Sequence, residues 1–168
     1  METEFNNFDT DLEYSLSESE NEMFDNFYYR VFPALDNVEV VTDLERQMQG
    51  IDKILHFKNG KAVLIDEKKR RKDYGDIILE VWSNTETKKA GWVFKPMTDY
   101  IVYAIMPTAK CYLLPSLLLK IWIKKNWANL NQYQKVVAKN IGYTTTSYAV
   151  PTQKLLSDLK QIMTQNLC

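Results

Sequence analysis

The chain has 168 residues, of which 45% are hydrophobic, and a formal net charge of −1. This is enough for one ordinary globular domain with a buried core. Two widely separated cysteines, Cys111 and Cys168, predict neither a disulfide framework nor a cysteine metal site, and they favour a reducing, cytoplasmic setting. No targeting segment or membrane span is expected: the N-terminus is acidic and polar, and Pro115 and Lys120 interrupt the most apolar stretch well short of about 20 residues.

The charge is unevenly distributed along the chain. The first 30 residues carry nine acids and one base, whereas the remaining residues carry 20 bases and 13 acids. Residues 1–16 also lack a clear hydrophobic period, so they are expected to form a loosely ordered acidic segment. Charge alone favours a solvated tail and a lysine-rich surface, although a basic body is also compatible with a polyanionic partner.

The first predicted element is a helix over 17–33. Ser17 followed by Glu20 matches a capping box, an apolar face follows from Met23 onwards, and Pro33 ends the pattern. A short strand is predicted at 38–41, and a turn-rich or short helical segment leads from it to the next element.

A β-hairpin is the clearest predicted element. The strands 51–57 and 61–68 flank Asn59-Gly60, which is the strongest short hairpin signal in a sequence. The remaining predicted elements are strands at 76–83, 91–95, 99–106 and 110–115, helices at 116–127 and 131–140, a strand at 143–150 and a final amphipathic helix at 151–165. This order predicts a single α/β or α+β domain over 17–168, with a central mixed β-sheet covered by helices.

The hairpin places carboxylates opposite one another. Asp52 stands near the start of the first strand, and Asp66 and Glu67 stand near the end of the second. Opposed carboxylates repel unless they are solvated, protonated or bridged by a cation, and Mg²⁺ binds such oxygen ligands while keeping water for a substrate phosphate. A lysine two residues after an acid shares its face of the strand, where it could act on a water or a phosphate.

The residues "GID" at 50–52 and "DEK" at 66–68, joined by a hairpin, resemble the PD-(D/E)XK nuclease superfamily, with the likeness spanning about 43–106. Ile51 stands where that pattern usually has proline. The resemblance implies a restriction-endonuclease-like core in which Asp52 and Asp66 hold Mg²⁺ or Mn²⁺, helped by the backbone carbonyl of Glu67. It also implies that Lys68 acts on the attacking water. The residues considered for completing the metal shell are Glu45 and Glu80.

Two hairpin registers are compatible with the sequence. A two-residue Asn59-Gly60 loop sets Asp52 opposite Glu67, which makes the working set Asp52, Glu67 and Lys69. A three-residue loop of 58–60, with Gly60 as a left-handed bulge, sets Asp52 opposite Asp66 and gives Asp52, Asp66 and Lys68. Only one can hold, because a slip of one residue reverses every side chain. The family pattern favours the second.

A run of bases follows the proposed metal site and is the candidate contact with DNA phosphates: Lys69, Arg70, Arg71 and Lys72. A solvated loop explains the run about equally well. The single histidine, His56, is interpreted as a sheet-surface or core residue. No Gly-rich phosphate loop and no serine–histidine–acid arrangement is readable, which disfavours kinases and common hydrolases, and no organic cofactor is expected.

The leading hypothesis from the sequence is therefore a Mg²⁺- or Mn²⁺-dependent nuclease that hydrolyses DNA. The alternative is a catalytically inactive module on the same fold that binds nucleic acid or protein. A third interpretation is an interaction protein whose acidic N-terminal helix docks a partner. The sequence neither requires nor excludes a homodimer.

Overall fold

The structure, a computed structural model, describes residues 22–95 and 97–165. These residues form four helices and nine strands. The helices are α1 (Glu22–Val31), α2 (Leu44–Met48), α3 (Ser116–Asn126) and α4 (Thr152–Gln165). The strands are β1 (Leu35–Val40), β2 (Lys53–Phe57), β3 (Ala62–Arg70), β4 (Asp76–Asn84), β5 (Lys89–Ala90), β6 (Tyr100–Ile105), β7 (Lys110–Pro115), β8 (Gln134–Asn140) and β9 (Tyr143–Pro151).

The chain forms two compact units. In the described residues, one unit contains 22–73 and 97–116, and we call it the hairpin unit. The other contains 74–95 and 117–165, and we call it the tryptophan unit. A mixed α+β fold is confirmed, but it is built on two sheets rather than on one central sheet. The single nuclease-like domain expected over 17–168 stays a prediction.

The hairpin unit contains a five-stranded mixed sheet in the order β1-β2-β3-β6-β7. All neighbours are antiparallel except β3 and β6, which run parallel. Helix α1 covers one face, because its aromatic side chains pack with apolar side chains of β1, β2, β3 and β6. The buried residues of this core are Phe24, Phe27, Tyr28, Leu35, Leu55, Ile65, Val102 and Ala104.

The β2–β3 turn has the three-residue loop. The Phe57 amide donates to the Lys61 carbonyl at 2.9 Å, and Gly60, at φ +79°, donates to the Phe57 carbonyl at 2.9 Å. Only glycine adopts this left-handed conformation at little cost. The ladder then pairs Lys53 with Ile65, so the register predicted from the family pattern is confirmed.

The tryptophan unit contains an antiparallel sheet in the order β5-β4-β9-β8, together with α4 and most of α3. The strand predicted at 91–95 is wrong, because Trp92–Phe94 forms a 3₁₀ turn. Gly91 lets the chain approach β4 so closely that a Cβ there would lie 2.2 Å from the Glu80 carbonyl oxygen. The close contact of Gly91 with β4 therefore takes the place of the strand pairing that was expected for 91–95.

The helix predicted at 131–140 is also wrong. A 3₁₀ turn, Trp127–Gln132, leads instead into β8, which pairs with β9 over its whole length. The β-branched pair Val136-Val137 suits a strand, and pairing with β9 overrides the weak helical period.

The boundaries of the other helices and strands lie within a few residues of those predicted from the sequence. Helix α1 ends at Val31, before Pro33, and α2 begins after Asp43, whose side chain accepts a hydrogen bond from the Arg46 amide at 2.9 Å. The predicted cap at Ser17 and Glu20, the acidic segment 1–16 and Cys168 lie outside the described residues. Within the described part of the chain, no helix is both long and apolar enough to cross a membrane.

Candidate active site

Asp52 and Asp66 meet where β2 begins against β3. The β2–β3 ladder ends at Lys53 and Ile65, and one residue earlier in the chain the Asp52 amide donates to the Ile65 carbonyl at 2.9 Å. Asp52 thereby lies beside Asp66, and the two carboxylates interact. The Asp52 carboxylate is fixed as well, since its Oδ2 accepts a hydrogen bond from the Glu67 amide at 2.7 Å. Backbone hydrogen bonds therefore hold the first carboxylate beside the second.

Asp66 is buried, with 5% of its surface exposed, and it pairs with Lys68 on the same face of β3. Lys68 Nζ donates to Asp66 Oδ1. The turn after α2 closes over the other oxygen: a Cβ on Gly50, at φ +82°, would lie 3.4 Å from Asp66 Oδ2. The "GID" segment thus combines a left-handed backbone position with a close approach to the buried acid.

The surroundings of Asp66 favour its protonated form. Burial raises the pKa of Asp66 to about 7; the Lys68 ammonium opposes this rise, and the neighbouring Asp52 carboxylate adds to it. Near neutral pH the Asp66 carboxyl is therefore divided between its protonated and ionised forms. A cation that replaced this proton would remove the repulsion between the carboxylates.

Glu67 lies on the opposite face of β3, beneath α1. Its Oε1 accepts a hydrogen bond from Tyr28 Oη at 2.6 Å. Burial raises the pKa of Glu67 to about 7, against the Tyr28 hydrogen bond and the Lys53 ammonium, which both lower it. Glu67 Oε2 is buried and has no hydrogen-bond partner among the described residues.

Tyr28 and Lys53 are site neighbours that the sequence reading missed. Lys53 is 1% exposed and shares a strand face with the buried Leu55. The sequence did contain a signal for this contact. Strand alternation places Lys53 of β2 and Glu67 of β3 at core positions of the hairpin, where opposite charges are expected to pair. Burial, with Glu67 adding to it, raises the pKa of Tyr28 well above its ordinary value. Tyr28 therefore remains a hydrogen-bond donor that ties α1 to the strand carrying Asp66.

The basic run divides between two faces. Lys69 lies on the α1 face, with its ammonium 5.6 Å from the centre of the Phe24 ring. Arg70 ends β3, and its Nε donates to the Lys72 carbonyl at 3.3 Å. Arg71 and Lys72 are exposed beyond the strand. Within β3, Arg70 is therefore the member of the run that shares the strand face of Asp66 and Lys68.

The two further candidate ligands occupy other positions. Glu45 is exposed on α2. Glu80 belongs to the tryptophan unit, where its Oε1 accepts from the Trp92 amide at 3.3 Å. Across 22–95 and 97–165, no group of three or more histidine, cysteine or acidic side chains could hold a metal ion. His56 is on the sheet surface, as expected, with Nε2 2.7 Å from Glu39 Oε2.

The residues present nevertheless fit a hard divalent cation. Asp52 and Asp66 lie beside one another, the single Lys68 ammonium offsets part of their negative charge, and the Glu67 carbonyl belongs to the same strand segment. Mg²⁺ commonly takes only one or two protein carboxylates and completes its shell with water and substrate phosphate oxygens. Two neighbouring carboxylates are therefore a donor set of the kind that such an ion accepts.

Comparison with known proteins gave no matching family model, no similar curated protein and no similar solved structure.

Proposed function

We propose that this chain is a Mg²⁺- or Mn²⁺-dependent nuclease that hydrolyses DNA phosphodiester bonds by a PD-(D/E)XK-type mechanism. The observation that carries the proposal is the meeting of Asp52 and Asp66 across the hairpin, with Lys68 on the same face and in contact with Asp66.

Each residue has a distinct role in this proposal. Asp52 and Asp66 would hold the metal, with the Glu67 backbone carbonyl as a third oxygen. A metal held there would supply Lewis-acid polarisation of the phosphate and would lower the pKa of a bound water. Lys68 would leave Asp66 for the attacking water or for a non-bridging phosphate oxygen, where its charge offsets the developing negative charge.

The sheet agrees in part with the proposal. The PD-(D/E)XK resemblance implies an α/β crossover after the hairpin, and β3 is parallel to β6, but the described residues of the connection between them form β4, β5 and a 3₁₀ turn rather than an α-helix. The strand that carries Asp66 and Lys68 is central in the five-stranded sheet, between β2 and β6. A rigid central strand is a suitable support for residues that must hold one geometry.

The test is DNA cleavage with Mg²⁺ or Mn²⁺ by the wild-type chain and by Asp66→Asn, which preserves the side-chain shape. The matched control is Glu39→Gln, an acid-to-amide change on the exposed surface of the same sheet. Cleavage that Asp66→Asn abolishes and Glu39→Gln retains supports the proposal. Cleavage by Asp66→Asn at the wild-type rate contradicts it.

A second candidate is a catalytically inactive module that binds nucleic acid or protein. The contact between Lys68 and Asp66 favours it, because an ammonium already neutralises the buried carboxylate. Calorimetric titration with Mn²⁺ separates the two functions. A saturable site that is lost in Asp66→Asn supports the nuclease, and no heat of binding supports the inactive module.

A further inference from the structure

The tryptophan unit contains an apolar cavity of about 470 Å³, well inside the range of small-ligand sites. It is lined by Trp82, Ala90, Phe94, Lys124 and Trp127. Trp127 is 46% exposed, which is unusual for the largest apolar side chain. None of these residues belongs to the proposed metal site.

The aromatic rings meet edge to face around Trp127. The Trp82 and Trp127 ring centres are 6.0 Å apart with an interplanar angle of 87°, and those of Phe94 and Trp127 are 5.8 Å apart at 64°. In an edge-to-face pair the edge of one ring covers a face of the other, and the exposure of Trp127 leaves part of its surface open to a planar ligand. Such surfaces suit a nucleobase, because every base has a π-face that can stack on an aromatic side chain.

The positive charge of the tryptophan unit favours an anionic ligand over a cationic one. Lys124 contributes to the lining, and the described residues of the tryptophan unit contain ten lysines against four acidic residues. This charge opposes a quaternary ammonium or methylated lysine, the cations that aromatic cages usually bind. It suits a nucleotide whose base enters the aromatic cavity while its phosphate faces the lysine.

We infer that the cavity between Trp82, Phe94 and Trp127 binds an unpaired nucleotide of a single-stranded nucleic acid. Lys124 receives the phosphate of that nucleotide. A paired base cannot enter without leaving its duplex, so the cavity prefers single strands, frayed ends or flipped bases. This inference does not depend on Asp52, Asp66 or cleavage.

The test is fluorescence anisotropy of a labelled ten-nucleotide DNA strand, measured in EDTA so that binding does not require metal. We expect Trp127→Ala to weaken binding by about 5- to 150-fold, the loss that removing one stacked base produces. Trp127→Phe should retain most of the affinity. The matched control is Trp92→Ala, since Trp92 lies on the same turn as Phe94 but does not line the cavity.

A charge variant tests the same site without altering the aromatic rings. Lys124 is exposed on α3, so Lys124→Ala should preserve folding. The substitution should reduce the slope of log affinity against log salt concentration by about 0.7, which is the value for one phosphate contact on a single strand. Equal affinity for a duplex of the same length, or unchanged binding by both Trp127→Ala and Lys124→Ala, would overturn the inference. A free mononucleotide that binds as tightly as the strand would also overturn the inference. The absence of saturable binding would overturn it too, and an apolar protein side chain would then be the expected occupant of the cavity.

Discussion

Asp66→Asn is expected to stabilise the chain at pH 8 and to leave its stability nearly unchanged at pH 4. The folded chain raises the pKa of Asp66 from 3.8 to about 7, mainly by burial. Below pH 4 the carboxyl is protonated in both the folded and the unfolded chain. Between about pH 4 and pH 7 the unfolded chain loses the proton first, so the free energy of unfolding falls as the pH rises.

The magnitude follows from that interval of about three pH units. Each unit corresponds to about 1.4 kcal/mol, so the ionised carboxylate costs the metal-free chain on the order of 4 kcal/mol at pH 8. Asparagine removes this cost but also removes the partner of Lys68. Because the Lys68 side chain is 28% exposed, solvent offsets part of that loss. We expect a net gain of about 2 kcal/mol, or roughly 4–8 °C in Tm for a chain of this size.

The assay is urea and thermal unfolding at pH 4 and pH 8 in EDTA, with Asp158→Asn as the matched control. The pKa of Asp158 is lowered, because hydrogen bonds from Lys154 at 2.7 Å and Trp122 at 2.9 Å outweigh the effect of burial. The same substitution at Asp158 should therefore destabilise the chain at pH 8. If Asp66→Asn loses stability at pH 8 as Asp158→Asn does, the reasoning about the buried acid pair is refuted.

Three further predictions concern the surroundings of the acid pair. Tyr28→Phe should lower the free energy of unfolding by about 1–3 kcal/mol in urea titrations, because Glu67 loses its hydrogen bond, whereas the exposed Tyr29→Phe should have little effect. Gly50→Ala and Gly60→Ala should each lower the free energy of unfolding by about 1 kcal/mol or more, because both glycines have a positive φ. Only Gly50→Ala should also weaken Mn²⁺ affinity in calorimetry, because a Cβ at Gly50 would approach Asp66 and one at Gly60 would not. Mg²⁺ binding should release more protons at pH 6 than at pH 8, measured by calorimetry in buffers of different ionisation enthalpy; equal release would contradict protonation of Asp66 in the metal-free chain.

The hairpin could be predicted from the sequence because its signals are local. Asn59-Gly60 fixes the turn, and the alternation from Lys53 to Phe57 fixes which side chains share a face. The choice between Asp66 and Glu67 depended on one residue of loop length, which propensity alone does not determine. The family pattern favoured the three-residue loop, and the backbone of Gly60 confirms that register. The role of Asp66 stays a prediction.

The errors lie where distant parts of the chain decide the conformation. Residues 134–140 form a strand because β9, a later segment, pairs with them. The turn at Trp92–Phe94 depends on the contact of Gly91 with the backbone of β4. The partner of Glu67 was also out of reach, since Tyr28 comes from a helix 39 residues earlier, and its helical period marks it only as a core residue. A local pattern carries no record of such contacts.

The central claim is tested most directly by Mg²⁺-dependent DNA cleavage with Lys68→Ala and Lys69→Ala, two identical substitutions at adjacent positions. Lys68 contacts Asp66, whereas Lys69 lies on the opposite face of β3 over Phe24. We expect Lys68→Ala to abolish cleavage by the folded chain and Lys69→Ala to retain it. Cleavage that survives Lys68→Ala and disappears in Lys69→Ala would contradict the assignment of Asp52, Asp66 and Lys68 as the active site.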